Sequence, residues 1–474
     1  MEQNKNYVFS AVLPTGEIVE AIYDMEEQVT KLAVWIGDQV NVVEDGYEIL
    51  GKKYWPFPAN YDLLKNGFVK LPSGVTPYEG ITSLFQQTKD FIARYVKLPE
   101  KFLTIASIYV LLTWVYDRFQ TLPYLRVLGE YGSGKTRFQQ TIGSLCYKGM
   151  LAGSSITMAA LFRTIDQIQG TLVYDEADQK SSEMWDEKIK ILNSGHTANV
   201  PVLRMNVKKD GQMSTQAFKV FGPKVLASRE RFSDEALVSR CLTQHLFSMK
   251  STKIPIHLPN DFEQQATNLR NKLLAFRLDS FHKIVADEST VDGIEFPRLR
   301  QSALAVTTLA SMIGKDVLSE VMSYLKGYER ELQTSRKRDP KVDVLLAILT
   351  LVKKNLDENC DKIHILDIKL QFERINSDDY LDDAYQYKDE NKTVYVHPKR
   401  SASPKKIGVH VRNLGIQTER DNHGFFIPIG QEFNTIDVLA DQYGLDKPWT
   451  KDDGQKELPL NPMSTDISTD DIPF

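Results

Sequence analysis

Eight consecutive residues, Gly129-Glu130-Tyr131-Gly132-Ser133-Gly134-Lys135-Thr136, have the types and spacing of a phosphate-binding loop: a glycine, four residues, then Gly-Lys-Thr. The glycines let the backbone curl tightly enough for its N–H groups to surround a polyphosphate, which also meets the positive end of the helix that follows. In that pattern Lys135 reaches the β and γ phosphates and the Thr136 hydroxyl ligates Mg²⁺. A second constellation follows at Gly170-Thr171-Leu172-Val173-Tyr174-Asp175-Glu176, an apolar run that ends in two carboxylates. Such a strand is expected beside the loop's own strand, with Asp175 holding Mg²⁺ through water and Glu176 polarising the attacking water as general base. Together the two stretches predict a site for a nucleoside triphosphate and a divalent metal.

The elements that must position these groups are legible around them. Leu125-Arg126-Val127-Leu128 reads as a buried strand and residues 136–147 as a helix, the strand–loop–helix setting that the phosphate loop needs. A helix over 182–193 precedes two strand-like runs, 199–207 and 212–220, joined through Lys208-Lys209-Asp210-Gly211. Asp-Gly between such runs signals a hairpin, with Lys208 and Lys209 at its tip. Lys224-Val225-Leu226-Ala227-Ser228 is another apolar strand, and its polar last residue is placed to touch a γ-phosphate or the attacking water. Glu235 to Cys241 follows, ending in Ser239-Arg240-Cys241.

Composition bounds the rest. The chain has 474 residues, 42% hydrophobic and 26% charged, with a net charge of −5, which is ordinary for a soluble protein of about three domains. Cys146, Cys241 and Cys360 are far apart and form no Cys-x-x-Cys pair, which argues against a zinc cluster or disulfide framework and for a reducing cytoplasm. No apolar signal-peptide core follows the first residues. The apolar run over 102–116 is too short and too polar for a membrane span and reads as a buried helix.

The order of phosphate loop, Asp-Glu strand, hairpin, polar strand end and Ser-Arg-Cys resembles an AAA+ ATPase. Within that group it is similar to the hairpin-bearing ring helicases: the minichromosome-maintenance (MCM) proteins, the superfamily 3 viral helicases and the MCM-like replication ATPases of phages and mobile elements. The DEAD-box helicases share the letters Asp175-Glu176-Ala177-Asp178, but they have two tandem ATPase cores and a different downstream region. The resemblance covers residues 120–245. It implies an α/β core with a parallel sheet, assembled as a ring, usually a hexamer, with ATP between subunits. Residue by residue, Gly129 to Thr136 match Walker A, Asp175 and Glu176 match Walker B, and Ser228 matches sensor 1, where family members more often carry Asn or Thr. Arg240 matches the arginine finger, which reaches the neighbouring subunit's γ-phosphate. Lys208 and Lys209 match the hairpin that lines the ring channel and grips single-stranded DNA.

Outside this core the pattern changes. Residues 1–75 alternate short apolar runs, Tyr7 to Leu13, Ile18 to Ile22 and Lys31 to Ile36, with a Pro14-Thr15-Gly16 turn. They predict a small β-rich domain whose role as an oligomerisation module, DNA collar or packing unit stays open. Residues 76–260 comprise the core with its preceding helices, and 261–335 read as a helical lid in which Pro297-Arg298-Leu299-Arg300 offers a sensor 2 arginine. Over 341–430 the spacing predicts a helix at 342–356, a second at 365–375, a third capped by Ser403, then a hairpin turning at Asp421-Asn422-His423-Gly424. That order resembles a winged helix, a fold whose third helix lies in a DNA groove, which makes Lys405, Lys406 and Arg412 the candidate phosphate contacts. Residues 447–474 are rich in Pro, Ser, Thr and acids and predict a disordered tail. Its end, Asp470-Asp471-Ile472-Pro473-Phe474, resembles the C-terminal tip of bacterial single-stranded-DNA-binding proteins, which docks on replication and repair enzymes.

The combined expectation is an ATP- and Mg²⁺-dependent helicase or translocase of a phage or mobile element, acting in the bacterial host cytoplasm as a homo-oligomeric ring, with single-stranded DNA in its channel and duplex at the winged helix. Two alternatives remain: a loader or protein-remodelling ATPase, and a DNA-binding initiator in which ATP switches assembly.

Overall fold

The computed structural model describes residues 5–153, 155–175, 183–207, 213–230, 232, 234–247, 254–337, 340–358, 360–378, 402–443 and 445–449. The chain divides into two compact units, Met1–Gly327 and Tyr328–Phe474. It is a mixed α/β protein, and the first unit is built on a six-stranded, largely parallel sheet.

Along that sheet the strands run Cys241–His245, Tyr124–Leu128, Lys224–Ser228, Leu172–Tyr174, Gly149–Ala152 and Val69–Lys70. The first five are parallel, and Val69–Lys70 closes one edge antiparallel to Gly149–Ala152. All five residues of Tyr124–Leu128 are buried, as are all five of Lys224–Ser228, as strands covered on both faces require. The strand carrying Asp175 does not lie beside the loop strand as expected. Lys224–Ser228 pairs with both and separates them. The reason is non-local: each crossover carries a helix over the sheet, and where the chain re-enters depends on packing that no short window of sequence encodes.

Helices Ile81–Tyr95 and Glu100–Thr113 precede the loop strand. Every residue from Phe102 to Thr113 is buried, so this apolar run is an interior helix. Among the described residues no helix is long and apolar enough to cross a membrane.

The N-terminal residues form two small sheets. One is a four-stranded antiparallel sheet in the order Ser10–Val12, Ile18–Asp24, Val29–Ile36, Gln39–Val43. The apolar run from Tyr7 to Leu13, which reads as a single strand, breaks at the buried Phe9: Asn6–Val8 pairs with Lys52–Pro56 in one sheet and Ser10–Val12 joins the other. These sheets are tied into the core. Glu20, 2% exposed, accepts hydrogen bonds from Arg277 Nε at 2.7 Å and from the Tyr147 hydroxyl at 2.8 Å. Arg277, on the helix Phe262–Ser280, also donates two bonds of 2.8 Å to Asp117 and one of 2.6 Å to the Trp114 carbonyl. A buried charge is tolerated because every strong donor and acceptor around it is engaged.

In the second unit, helices Pro340–Asp357, Ile365–Asp378 and Pro404–Asn413 accompany a three-stranded antiparallel sheet in the order Lys362–His364, Gly424–Pro428, Glu419–Asp421, and helix Ile429–Tyr443 follows. Ser403 caps the third of these helices by accepting from the Lys406 N–H, and Pro404 occupies its first turn. The Asp421 carboxylate is held down to about 2, chiefly by the His423 N–H at 2.8 Å, with Lys362 and His364 adding hydrogen bonds.

Candidate nucleotide site

The parallel strands end together on one edge, and the candidate groups cluster there. Leu128 leads into the loop, whose Gly129 N–H donates to the Ser228 carbonyl at 3.2 Å. A Cβ on Gly129 would collide with Ser133 Oγ and come within 2.6 Å of the Leu246 carbonyl oxygen. Gly132 and Gly134 hold positive φ angles of 74° and 93°, and Gly134 is the N-cap of the helix Lys135–Leu145. That helix has no carboxylate in its first turn to compete for its positive end. Lys135 folds over the loop and donates to the carbonyls of Gly129 and Glu130.

Gln139, one turn further along, donates 2.7 Å to the Tyr174 carbonyl, so the loop's helix clamps the strand end that presents Asp175. The Asp175 N–H is itself held by the Ala152 carbonyl at 3.1 Å. Thr136 is exposed and Asp175 half-buried. One hydroxyl and one carboxylate suit Mg²⁺, which binds through few protein ligands and keeps waters and substrate phosphates as the others. Among the described residues no group of three or more His, Cys, Asp or Glu side chains forms a ready-made metal site. Glu176 lies outside the described residues.

Ser228 closes the strand between loop and carboxylate, and its hydroxyl is fully buried. Arg126, from the middle of the loop strand, donates to it at 2.8 Å through Nη2, and the hydroxyl donates to the Glu230 carbonyl at 3.0 Å. Arg126 stacks on Phe232 at 3.7 Å. The next residue, Arg229, sets its guanidinium 3.8 Å over the ring of Tyr131 in the phosphate loop. Sequence reasoning missed Gln139, Arg126 and Arg229. Only Arg126 carried a signal, as a charge inside an apolar strand.

Arg240 sits at the other edge of the sheet. It immediately precedes strand Cys241–His245, and its carbonyl accepts from the Tyr124 N–H at the start of the loop strand. The loop begins after the far end of that strand, about 16 Å along at 3.3 Å per residue. Arg240 is half-buried, and burial together with the nearby Arg298 charge lowers its pKa. Arg298, on the helix Pro297–Ile313, therefore lies near Arg240.

The hairpin Val202–Val207/Met213–Phe218 forms in the expected place, with Phe218 against Phe162 at 4.6 Å between ring centres. Lys208 and Lys209 lie outside the described residues. Lys405, Lys406 and Arg412 are exposed on the helix Pro404–Asn413, whose other face buries Ile407, Gly408 and Val411. The tail tip, Asp470 to Phe474, is outside the described residues.

No family model matches the chain, and no curated protein does either. Solved structures resemble it loosely. SCCmec type IV Cch, described as an active helicase, is 12% identical with a TM-score of 0.42, over 91% of this chain and 80% of that one. The NrS-1 C-terminal region is 13% identical with a TM-score of 0.36, over 86% and 96%. A full-length MCM homologue from Methanopyrus kandleri is 11% identical with a TM-score of 0.35, over 64% and 69%. Similarity at this level carries no functional assignment, which rests on the site itself.

Proposed function

We propose that this chain is an AAA+-type ATPase that works as a ring on DNA, a helicase or translocase serving the replication of a phage or mobile element in a bacterial cytoplasm. The observation that carries the reading is the placement of two sets of groups on opposite edges of one sheet. The phosphate loop, Lys135, Thr136 and Asp175 gather at the carboxyl edge, while Arg240 stands at the other. An arginine so placed cannot serve its own loop, but it can serve the loop of a neighbour in a head-to-tail ring.

In this reading the loop's N–H groups and Lys135 bind and orient the triphosphate, and Thr136 and Asp175 hold Mg²⁺, which neutralises charge on the phosphates when bound. Gln139 keeps Asp175 in register with the loop's helix. Glu176 takes the proton of the attacking water, and the neighbour's Arg240 offsets charge on the transferred phosphoryl group. The Lys208/Lys209 hairpin grips single-stranded DNA in the channel of a hexamer. The second unit is a winged helix that meets duplex through Lys405, Lys406 and Arg412, and the Asp470–Phe474 tip recruits host replication or repair proteins.

Lys135→Ala tests the foundation. Binding of a fluorescent ATP analogue should fall by at least tenfold while the melting temperature holds. Undiminished binding would remove the nucleotide from this loop and leave a DNA-binding protein without an ATP switch.

A further inference from the structure

Whichever group senses the γ-phosphate must be a donor, because phosphate oxygens only accept. Ser228 is the residue expected to do so, yet it has one proton to give, and the Glu230 carbonyl takes it. Its lone pairs face Arg126 Nε and Nη2, at 3.3 and 2.8 Å, and the side chain is completely buried. Freeing this hydroxyl would break a buried bond and expose a guanidinium to an unmatched environment. Ser228 acts as a structural post that fixes the strand end.

Arg229 is the adjacent residue and points the other way, to the phosphate loop. Its guanidinium lies 3.8 Å over Tyr131, the third residue of the loop, and Tyr131 is 74% exposed. Stacking uses the flat face of a guanidinium, whereas its N–H donors lie in the plane, so resting on Tyr131 and donating to a phosphate are compatible. The same stacking limits the freedom of a long side chain and reduces the entropy lost when it engages an anion. We propose that Arg229 is the residue of this site that distinguishes a nucleoside triphosphate from a diphosphate, with Tyr131 as the platform that holds it at the loop. The assignment rests on the nucleotide reading above.

The test compares affinities of the full chain for ADP and for a non-hydrolysable ATP analogue, by fluorescence or calorimetry, with melting temperatures as the folding control. A charged hydrogen bond to phosphate corresponds to a change on the order of tenfold to a hundredfold. Arg229→Ala should weaken the triphosphate analogue by that factor and leave ADP nearly unchanged. Arg229→Lys, which keeps charge but not the planar fork, should recover part of the preference. Tyr131→Ala should lower it about two- to fivefold through loss of the platform, and Tyr131→Phe should keep it. Equal loss of both nucleotides in Arg229→Ala, or no loss of either, overturns the assignment to Arg229 alone. Failure of the unmodified chain to bind either nucleotide overturns the nucleotide reading beneath it.

Discussion

His196 shows how one residue's surroundings become a measurable property. It is 1% exposed, its Nδ1–H donates to the Leu122 carbonyl, and Arg240, Arg298 and Lys224 lie close enough to oppose a further charge. Burial, the largest influence, pushes its pKa from 6.5 down to about 4. The fold therefore holds the neutral imidazole, while the unfolded chain takes up a proton first as pH falls. Stability from this residue is present above about 6.5 and is lost between 6.5 and 4. Melting temperature followed from pH 7 to pH 4 should drop more steeply for the native chain than for His196→Asn. Parallel curves would show that His196 is not the titrating group. At the same scale, the glycine turn that leads into the helix Lys135–Leu145 was readable from sequence because backbone geometry restricts it: Gly132 and Gly134 adopt positive φ, and Gly129 has no room for a side chain. The stack of Arg229 on Tyr131 was not readable, because nothing in a one-dimensional string says which side chains meet across the end of the sheet.

At the scale of elements, local pattern carried far. The Asp-Gly signal placed the Val202–Phe218 hairpin, and the Ser403 cap with Pro404 placed the helix Pro404–Asn413. Strand order was not local, so the insertion of Lys224–Ser228 between the loop strand and the Asp175 strand was invisible, as was the break of the Tyr7–Leu13 run at Phe9. The basic helix makes its own prediction. Lys405 and Arg412 stand seven positions apart on the exposed face, with Lys406 beside them. Reversing all three to Glu should weaken duplex binding at least tenfold in low salt and flatten its salt dependence, while ATP binding stays intact. Unchanged duplex affinity by anisotropy would reduce this unit to a protein-docking module.

For the first unit taken whole, the Glu20–Arg277–Asp117 cluster joins the N-terminal sheet, the helices before the loop and the helix Phe262–Ser280. Arg277→Ala leaves Glu20 buried without its cation and should cost about 3–5 kcal/mol, read as a lower denaturant midpoint. A loss under ~1 kcal/mol would mean that water replaces the guanidinium, and that the sheet is not held as tightly as the geometry implies.

The central claim is that each ATP site is shared, with Lys135 from one subunit and Arg240 from the next. It is tested most directly by measuring ATP turnover of Lys135→Ala and Arg240→Ala proteins separately and then mixed. Each alone should be nearly inactive, and mixing should restore a substantial fraction of turnover, because some interfaces then pair an intact loop with an intact arginine. Turnover that persists in Arg240→Ala alone, or a mixture as inactive as its parts under conditions where subunits exchange, would contradict a site built across the ring.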